Sequence, residues 1–276
     1  MRSYARYVAI GDSSTEGLED PDLRGGYRGW ADRLAEHIAA AQPTPLEYAN
    51  LAIRGLRLRQ IRETQFDAAL ALEPDLLTIV GGVNDVIGRV CDFALVRSHF
   101  AAMFAEARAR DLTVLTFTMP DPAAINPLGR RLRPRMFQLN DVIRAEAARY
   151  DVMVMDFQHY PVTEDPRLWY EDRLHCNSHG HARIAAALAW RLGLPGADDA
   201  WSRPLEEERP ARRPRQQLAG DLDWAVHHFA PWLGRQLRGI SYGLNITAKR
   251  PLPTVVEPHA GRSDWPDRVG ASVDDA

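Results

Sequence analysis

The feature that most constrains the fold of this chain is an alternation of short apolar segments with longer amphipathic ones. Several of the short segments lack a regular apolar–polar alternation, as expected for strands buried on both faces of a parallel sheet. They comprise Arg6–Ile10, Leu46–Leu51, Leu76–Val80, Thr113–Thr118 and Val152–Phe157. Between them, apolar residues recur at helical spacing, for example at Trp30, Leu34 and Ile38. The alternation predicts an α/β fold.

The expected architecture is a three-layer α/β/α sandwich around a doubly wound, five-stranded parallel sheet of the flavodoxin-like type. Further helices are expected at 93–110, at 134–150 and around Leu188. In such sheets, ligand sites form beyond the carboxyl ends of the strands.

The composition changes near residue 197, which predicts one domain over 1–197 and a C-terminal region over 198–276. Ser202–Gln217 carries three prolines amid Arg and Glu and is typical of a solvated linker. Leu218–Gly239 recovers the spacing of an amphipathic helix, with a kink expected at Pro231. The residues that follow are rich in proline and small side chains and predict an extended or partly disordered tail.

Charge and hydropathy exclude several classes of partner. The net charge is −3, which gives no field that would gather nucleic acid or an anionic membrane. No apolar run is long enough to span a bilayer, and no secretory signal follows Met1, so we expect no stable membrane insertion and a cytoplasmic location. Cys91 and Cys176 do not form a disulfide framework. Nothing in the sequence indicates the oligomeric state.

Glycine or polar residues follow the predicted strands in four short motifs. Ser13 follows the first strand, Gly55 the second and Asn84 the third, while Asp172 and His175 lie beyond the fifth. Since the carboxyl ends of parallel strands meet at one edge of a sheet, we expect these residues to lie close together.

The residue types suit nucleophilic catalysis. A serine hydroxyl is a weak nucleophile until a base takes its proton, and a histidine base works best when a carboxylate holds its tautomer. Ser13 is therefore the candidate nucleophile, His175 the general base and later the acid, and Asp172 the residue that orients the ring. The competing interpretation of Ser13 is a helix cap, since serine often follows a strand in that role.

In this order the four motifs resemble the SGNH (GDSL-type) hydrolase family of esterases, over roughly residues 5–195. The resemblance matches the family's nucleophile to Ser13. It implies an oxyanion hole formed by the backbone N–H groups of Ser13 and Gly55 and the side-chain amide of Asn84. It also implies hydrolysis of a small-molecule ester without cofactor or metal.

The last motif carries two further points of comparison with the family. His181, in Gly180-His181, resembles a structural residue at the start of the last helix of the core. Family members commonly carry proline directly after the catalytic histidine, whereas this chain has Cys176. The departure bears on the local loop conformation.

Other chemistries fit the sequence less well. The G-x-S-x-G signature of α/β-hydrolases is absent, and so is a Gly-rich phosphate loop. A metal site could be drawn from Asp172, His175, Cys176 and His179, but metal ligation would occupy the candidate base.

The sequence therefore predicts a carboxylic ester hydrolase that forms an acyl-enzyme. Loops at 120–133 and 159–171 are expected to shape the pocket, with Trp169 and Tyr170 in the second. Because no long apolar segment outside the core and the C-terminal helix offers an acyl channel, short acyl chains are favoured. The alternative is that the aromatic stripe of the C-terminal helix covers the cleft and accepts longer chains. An acyltransferase or a carbohydrate O-deacetylase would use the same residues. A non-catalytic binding module is disfavoured, because every catalytic and oxyanion position holds a competent residue.

Overall fold

The computed structural model describes residues 3–22, 25–126, 128–206, 214–231 and 246–256. Six strands form one sheet in the order β5-β4-β3-β1-β2-β6. The strands are β1 Arg6–Ile10, β2 Leu46–Asn50, β3 Leu76–Ile79, β4 Thr113–Phe117, β5 Met153–Met155 and β6 Arg250–Val256. Strands β1 to β5 are parallel, and their order 2-1-3-4-5 is the flavodoxin-like one. The predicted fold class is confirmed.

Helices connect the parallel strands and cover both faces of the sheet. The α-helices are α1 Ser13–Glu16, α2 Gly29–Ala41, α3 Leu58–Ile61, α4 Asp67–Ala71, α5 Val83–Ile87, α6 Phe93–Ala109, α7 Gly129–Arg149, α8 Ser178–Arg191 and α9 Pro214–Trp224. Two π-helical turns lie at Arg62–Phe66 and Ala225–Phe229, and 3₁₀ turns lie at Pro122–Ala124, Phe157–His159, Pro161–Glu164, Pro166–Leu168 and Ala200–Ser202. Among the residues that the structure describes, no helix is long and apolar enough to cross a membrane.

The sheet separates two hydrophobic cores, and β1 contributes to both. Its residues Val8 and Ile10 join a core that includes buried side chains of α6 and α7. Its residues Tyr7 and Ala9 face the opposite side and join a core that includes α2 and α8. This two-sided burial explains why the strand lacks an apolar–polar alternation.

The sixth strand differs from the five-stranded prediction. Strand β6 pairs antiparallel with β2 at the edge of the sheet, so the sheet is mixed. Its residues Pro251 and Pro253 argued for an extended tail, but alternate residues of a strand direct their N–H groups to the same edge. Two prolines two positions apart therefore leave the other edge of β6 able to pair. Lys249, just before β6, donates to Asp32 of α2 at 2.8 Å.

The C-terminal region is described in part. Helix α9 begins at Pro214, within the predicted linker, and the predicted helix beyond Pro231 lies outside the described residues. So do 207–213 of the linker and both 240–245 and 257–276 of the tail. Trp201 is buried and packs edge-to-face on Phe157, with 5.9 Å between ring centroids. The domain boundary at residue 197 stays a prediction.

Candidate active site

Ser13 is the first residue of α1, directly beyond the carboxyl end of β1. The N-cap of α1 is Asp12, whose Oδ1 accepts from the backbone N–H of Ser14 at 3.2 Å. The capping role considered for Ser13 is thus performed by its neighbour. Gly17 caps the carboxyl end of α1. It has φ of 94° and approaches Gly29 so closely that an added Cβ would lie 2.6 Å from the Gly29 Cα. This contact fixes α1 against the start of α2.

The structure brings Ser13, His175 and Asp172 into one hydrogen-bonded chain. Nδ1 of His175 lies 2.6 Å from Oδ2 of Asp172, and its Nε2 lies 2.9 Å from Oγ of Ser13. Because a carboxylate can only accept, Nδ1 carries the proton in the neutral ring, which leaves Nε2 able to accept from the serine hydroxyl. This arrangement suits transfer of the hydroxyl proton to histidine.

The loop between Asp172 and His175 is closed by its own hydrogen bonds. Oδ1 of Asp172 accepts from the backbone N–H groups of Leu174 and His175, each at 3.0 Å. The carbonyl of His175 accepts from the N–H of Tyr170 at 2.8 Å. Arg173 adopts φ of 56°, in the left-handed region that non-glycine residues seldom occupy.

The pKa values of the acid and base are shifted apart. Burial opposes ionisation of Asp172, but its hydrogen bond to His175 and the charge of that ring lower the pKa of the carboxyl below its usual value. Burial likewise opposes protonation of His175. The hydrogen bond and charge of Asp172, together with the charges of Asp12 and Glu19, outweigh it and raise the pKa of the imidazole. An ionised carboxylate can therefore stabilise the imidazolium as the histidine takes a proton.

The three candidate oxyanion donors lie beyond the carboxyl ends of β1, β2 and β3. Within the described part of the chain, the backbone N–H groups of Ser13 and Gly55 donate to no protein acceptor. Gly55 adopts φ of 78°, which a side chain would disfavour. Nδ2 of Asn84 donates to Oδ2 of Asp12 at 3.1 Å and to the carbonyl of Leu56 at 3.0 Å. One of these two bonds has to be exchanged if the amide is to bind an oxyanion.

Asp12 is a polar residue of the site to which the sequence analysis gave no role. Burial raises the pKa of its carboxyl to about 6. Through its Oδ2 it holds the amide of Asn84, and through its Oδ1 it caps the helix that carries Ser13. Nothing in the sequence pattern indicates that Asp12 joins the helix that follows β1 to Asn84, which follows β3.

An apolar cavity of about 100 Å³ lies beside Ser13 and His175, both of which line it. The loop after β5 contributes Val162, Leu168 and Trp169, while Tyr170 of the same loop is exposed and does not line the cavity. The loop after β4 contributes Pro120 at its start. The rest of the apolar lining comes from Val83, Phe117, Met119, Phe157, Leu174, Cys176, Ile184 and Trp201.

The remaining histidines of the motif do not form a metal site. Nδ1 of His181 accepts from the N–H of Trp30 at 3.1 Å, so its Nε2 donates to the carbonyl of Leu18 at 2.9 Å. Burial lowers the pKa of His181 to about 4. Its neutral ring thus joins α8 to the start of α2 and to the turn after α1. Among the described residues, no group of three or more His, Cys, Asp and Glu side chains could hold a metal ion.

Comparison with known proteins gives one family and a set of related folds. Residues 9–183, more than half of the chain, match the model of the GDSL-like lipase/acylhydrolase family. No curated protein matches the sequence significantly.

Three of the related folds are enzymes that share fewer than a quarter of their residues with this chain. A variant of an acetyl xylan esterase from Geobacillus stearothermophilus is 18% identical, over 70% of this chain and 97% of that chain, with a TM-score of 0.60. A lipase/acylhydrolase from Enterococcus faecalis is 23% identical, over 71% of this chain and 100% of that chain, with a TM-score of 0.57. An alpha/beta hydrolase enzyme from the metagenome of Lake Arreo, Spain, is 22% identical, over 70% and 97% respectively, with a TM-score of 0.56.

Proposed function

The chain belongs to the GDSL-like lipase/acylhydrolase family and is a carboxylic ester hydrolase, and from this premise we propose that it cleaves small acyl esters through an acyl-enzyme on Ser13. The observation that carries the proposal is the continuous chain of hydrogen bonds from Asp172 through His175 to Ser13, at 2.6 and 2.9 Å. It supplies a nucleophile, a base and an orienting carboxylate in one place.

In the first half-reaction, Oγ of Ser13 attacks the ester carbonyl carbon while its proton passes to Nε2 of His175. The tetrahedral intermediate then collapses, the bond to the alcohol oxygen breaks, and His175 returns the proton to that oxygen. In the second half-reaction, water attacks the acyl-enzyme, His175 accepts a proton from it, and the acid leaves as Ser13 recovers its hydrogen. An alcohol in place of this water would complete an acyl transfer by the same steps.

Negative charge on the carbonyl oxygen develops only in the intermediate and the transition states that flank it. The N–H groups of Ser13 and Gly55 have no protein acceptor in the described residues, which leaves them able to bind this oxyanion. Asn84 would contribute once its amide exchanges the bond to Asp12 or to Leu56 for one to the substrate. An oxyanion accepts more strongly than a neutral carbonyl, so the exchange is favoured as charge develops.

The cavity beside Ser13 supports a short acyl group. An engineered apolar cavity of roughly 150 Å³ in another protein holds benzene. A cavity of about 100 Å³ is smaller than that, and it is lined mainly by apolar side chains. We therefore assign it to the acyl chain, with space for about two to four carbon atoms by this comparison.

A second candidate is removal of acetyl groups from a carbohydrate. The small cavity fits acetyl. Polar groups flank Gly55: the guanidinium of the preceding Arg54 lies 5.3 Å from the ring centroid of Tyr27 and is hydrogen-bonded to Glu16. One of the related folds is that of an acetyl xylan esterase. Release of acetate from acetylated xylooligosaccharides, compared with p-nitrophenyl acetate, separates this candidate from a general esterase.

Covalent labelling tests the proposed mechanism. The full-length protein is treated with a fluorophosphonate, and the intact mass is compared with that of the Ser13→Ala variant. We expect one label on the wild-type protein, loss of p-nitrophenyl acetate hydrolysis on labelling, and no label on the variant. Hydrolysis that survives labelling, or a label retained by Ser13→Ala, would show that another residue is the nucleophile.

A further inference from the structure

Helix α9 lies against the loop that carries Asp172 and His175. Nε1 of Trp224, at the end of α9, donates to the backbone carbonyl of Asp172 at 2.8 Å, across 52 positions of sequence. The indole is buried, with 6% of its surface exposed. A segment outside the matched family region thus contacts the backbone of a residue in the proposed catalytic chain.

Arg173 makes a second set of contacts with the same helix. Its Nη1 donates to Oδ1 of Asp221 at 2.6 Å, and its Nη2 donates to the carbonyl of Gly220 at 3.2 Å. Its guanidinium also lies 5.4 Å from the ring centroid of Trp224. The side chain of Arg173 is therefore held at three points by a single turn of α9.

These contacts act on one peptide group. The peptide between Asp172 and Arg173 carries the carbonyl that Trp224 binds, and its rotation changes ψ of Asp172 and φ of Arg173 together. Arg173 is already in the left-handed region, where a non-glycine residue is strained. Without its partners in α9, rotation of this peptide would relieve the backbone strain at Arg173. Rotation would reorient the backbone between Asp172 and His175, and so disturb the bonds that hold the Asp172 carboxylate to the N–H groups of this loop and to Nδ1 of His175.

We propose that Trp224 and Asp221 are positioning residues, which hold the Asp172–Arg173 peptide and thereby the Asp172 carboxylate against His175. The inference rests on the proposed function, because it assumes that His175 acts as the base. Neither residue touches the reacting atoms; both act through the loop.

The test uses the full chain with Trp224→Phe, which removes the N–H donor and keeps a ring, and Asp221→Asn, which removes the charge. A neutral hydrogen bond of ordinary strength corresponds to a loss in kcat of about three- to tenfold for Trp224→Phe. We expect KM for p-nitrophenyl acetate to change little in both variants. We also expect the acid limb of kcat/KM to move to lower pH, because a weaker bond to Asp172 raises the pKa of His175 less.

The pH readout is specific because other charged groups near His175 are unchanged. They include Asp12 at the end of β1 and Glu19 after α1, whose charges also raise its pKa, and the neighbouring ring of His181 on α8. The matched control is Asp223→Asn. Asp223 lies on the same helix, exposed and paired with His227 at 3.0 Å, so the change should leave kcat, KM and the pH profile unaltered.

The outcomes separate this inference from the proposed function. If wild-type protein takes no label at Ser13, the proposed function fails. If labelling and the loss of activity in Ser13→Ala hold while Trp224→Phe and Asp221→Asn match wild type, only the positioning role is wrong. A rise in KM, or a loss in kcat without a shift of the acid limb, also overturns it. Asp221→Asn changes a partly exposed group, so it remains informative if Trp224→Phe lowers the melting temperature.

Discussion

Nε2 of His175 lies 2.9 Å from Oγ of Ser13, although the two residues are 162 positions apart. The distance follows from the topology. Ser13 leaves the carboxyl end of β1, which lies between β2 and β3 in the sheet, and His175 precedes α8, which packs on α2 over the same face. His181 then joins α8 to the first turn of α2. The reacting pair is therefore set by the assembled core, and substitutions at either residue should leave that core intact.

Replacing Ser13 with alanine should abolish ester hydrolysis, because no acyl-enzyme can form. Loss of a residue from such a unit lowers kcat by a factor on the order of 10⁴ to 10⁶. The side chain is half-buried and belongs to neither hydrophobic core, so the circular-dichroism spectrum and melting temperature should match wild type. His175→Ala should have a similar effect, and the double variant should be scarcely slower than either single one. Additive losses would mean that the two residues act in separate steps.

Asn84→Ala should lower kcat far more than it raises KM, because the amide would bind charge that develops only in the transition state. Removing one oxyanion donor costs roughly 100- to 1000-fold in kcat. Steady-state kinetics with p-nitrophenyl acetate measure both constants. Leu56 and Asp12 lose a donor in this variant, so the melting temperature is measured alongside. A change confined to KM would make Asn84 a ground-state contact.

The sequence was sufficient to predict where the candidate residues that follow strand ends would lie. Five apolar segments predicted the parallel strands, and each proposed oxyanion or nucleophilic residue lies within four positions of the end of one of them. This succeeds because buried parallel strands leave a strong local signal, and their carboxyl ends meet at one edge.

The parts that were missed depend on tertiary contacts. Strand β6 has a proline-rich sequence, and only its place at the sheet edge makes that sequence compatible with pairing. The contact of Trp224 with Asp172 joins two segments whose own patterns carry no sign of each other. The loop predicted at 120–133 is shorter than expected, because α7 begins at Gly129 and not at Pro134.

The rate of hydrolysis should depend on the neutral form of His175. Since the pKa of this ring is raised above its usual value of about 6.5, kcat/KM should fall as pH decreases, with an acid limb whose midpoint lies above about 6.5. Asp172→Asn removes the charge that favours the imidazolium, so the midpoint should move to lower pH. The loss in kcat should be comparable to, or smaller than, that of Ser13→Ala. If the midpoint is the same in Asp172→Asn as in wild type, the acid limb does not report the titration of His175 next to Asp172.

Acyl specificity should follow the size of the cavity. With p-nitrophenyl acetate, butyrate, octanoate and palmitate, we expect kcat/KM to be highest for acetate or butyrate. Leu168→Ala shortens a side chain that lines the cavity, so it enlarges the cavity and should move the optimum of kcat/KM to longer acyl chains. The control is Leu34→Ala, in α2 and away from the cavity. Like Leu168→Ala, it truncates a buried leucine and costs about 2–5 kcal/mol of stability, but it should leave the acyl optimum unchanged. A wild-type optimum at octanoate or beyond would contradict the assignment of the cavity.

The buried ring of His181 should make the fold sensitive to mild acid. Its pKa is lowered to about 4 by burial, whereas in the unfolded chain it is about 6.5. Between these values the unfolded state binds more protons than the folded state, so the free energy of unfolding falls as pH decreases. The loss should reach about 2 kcal/mol by pH 5 and about 3 kcal/mol by pH 4.

His181→Gln isolates this contribution from that of the carboxyl groups. At pH 7 the variant should be less stable than wild type by about 1–3 kcal/mol, because the N–H of Trp30 or the carbonyl of Leu18 loses its partner. As the pH is lowered, only wild type is destabilised by protonation of His181, so the difference in free energy of unfolding between the two proteins should become smaller. Urea unfolding at pH 7, 6 and 5 measures it. A difference that is constant with pH would mean that His181 titrates alike in the folded and unfolded chains.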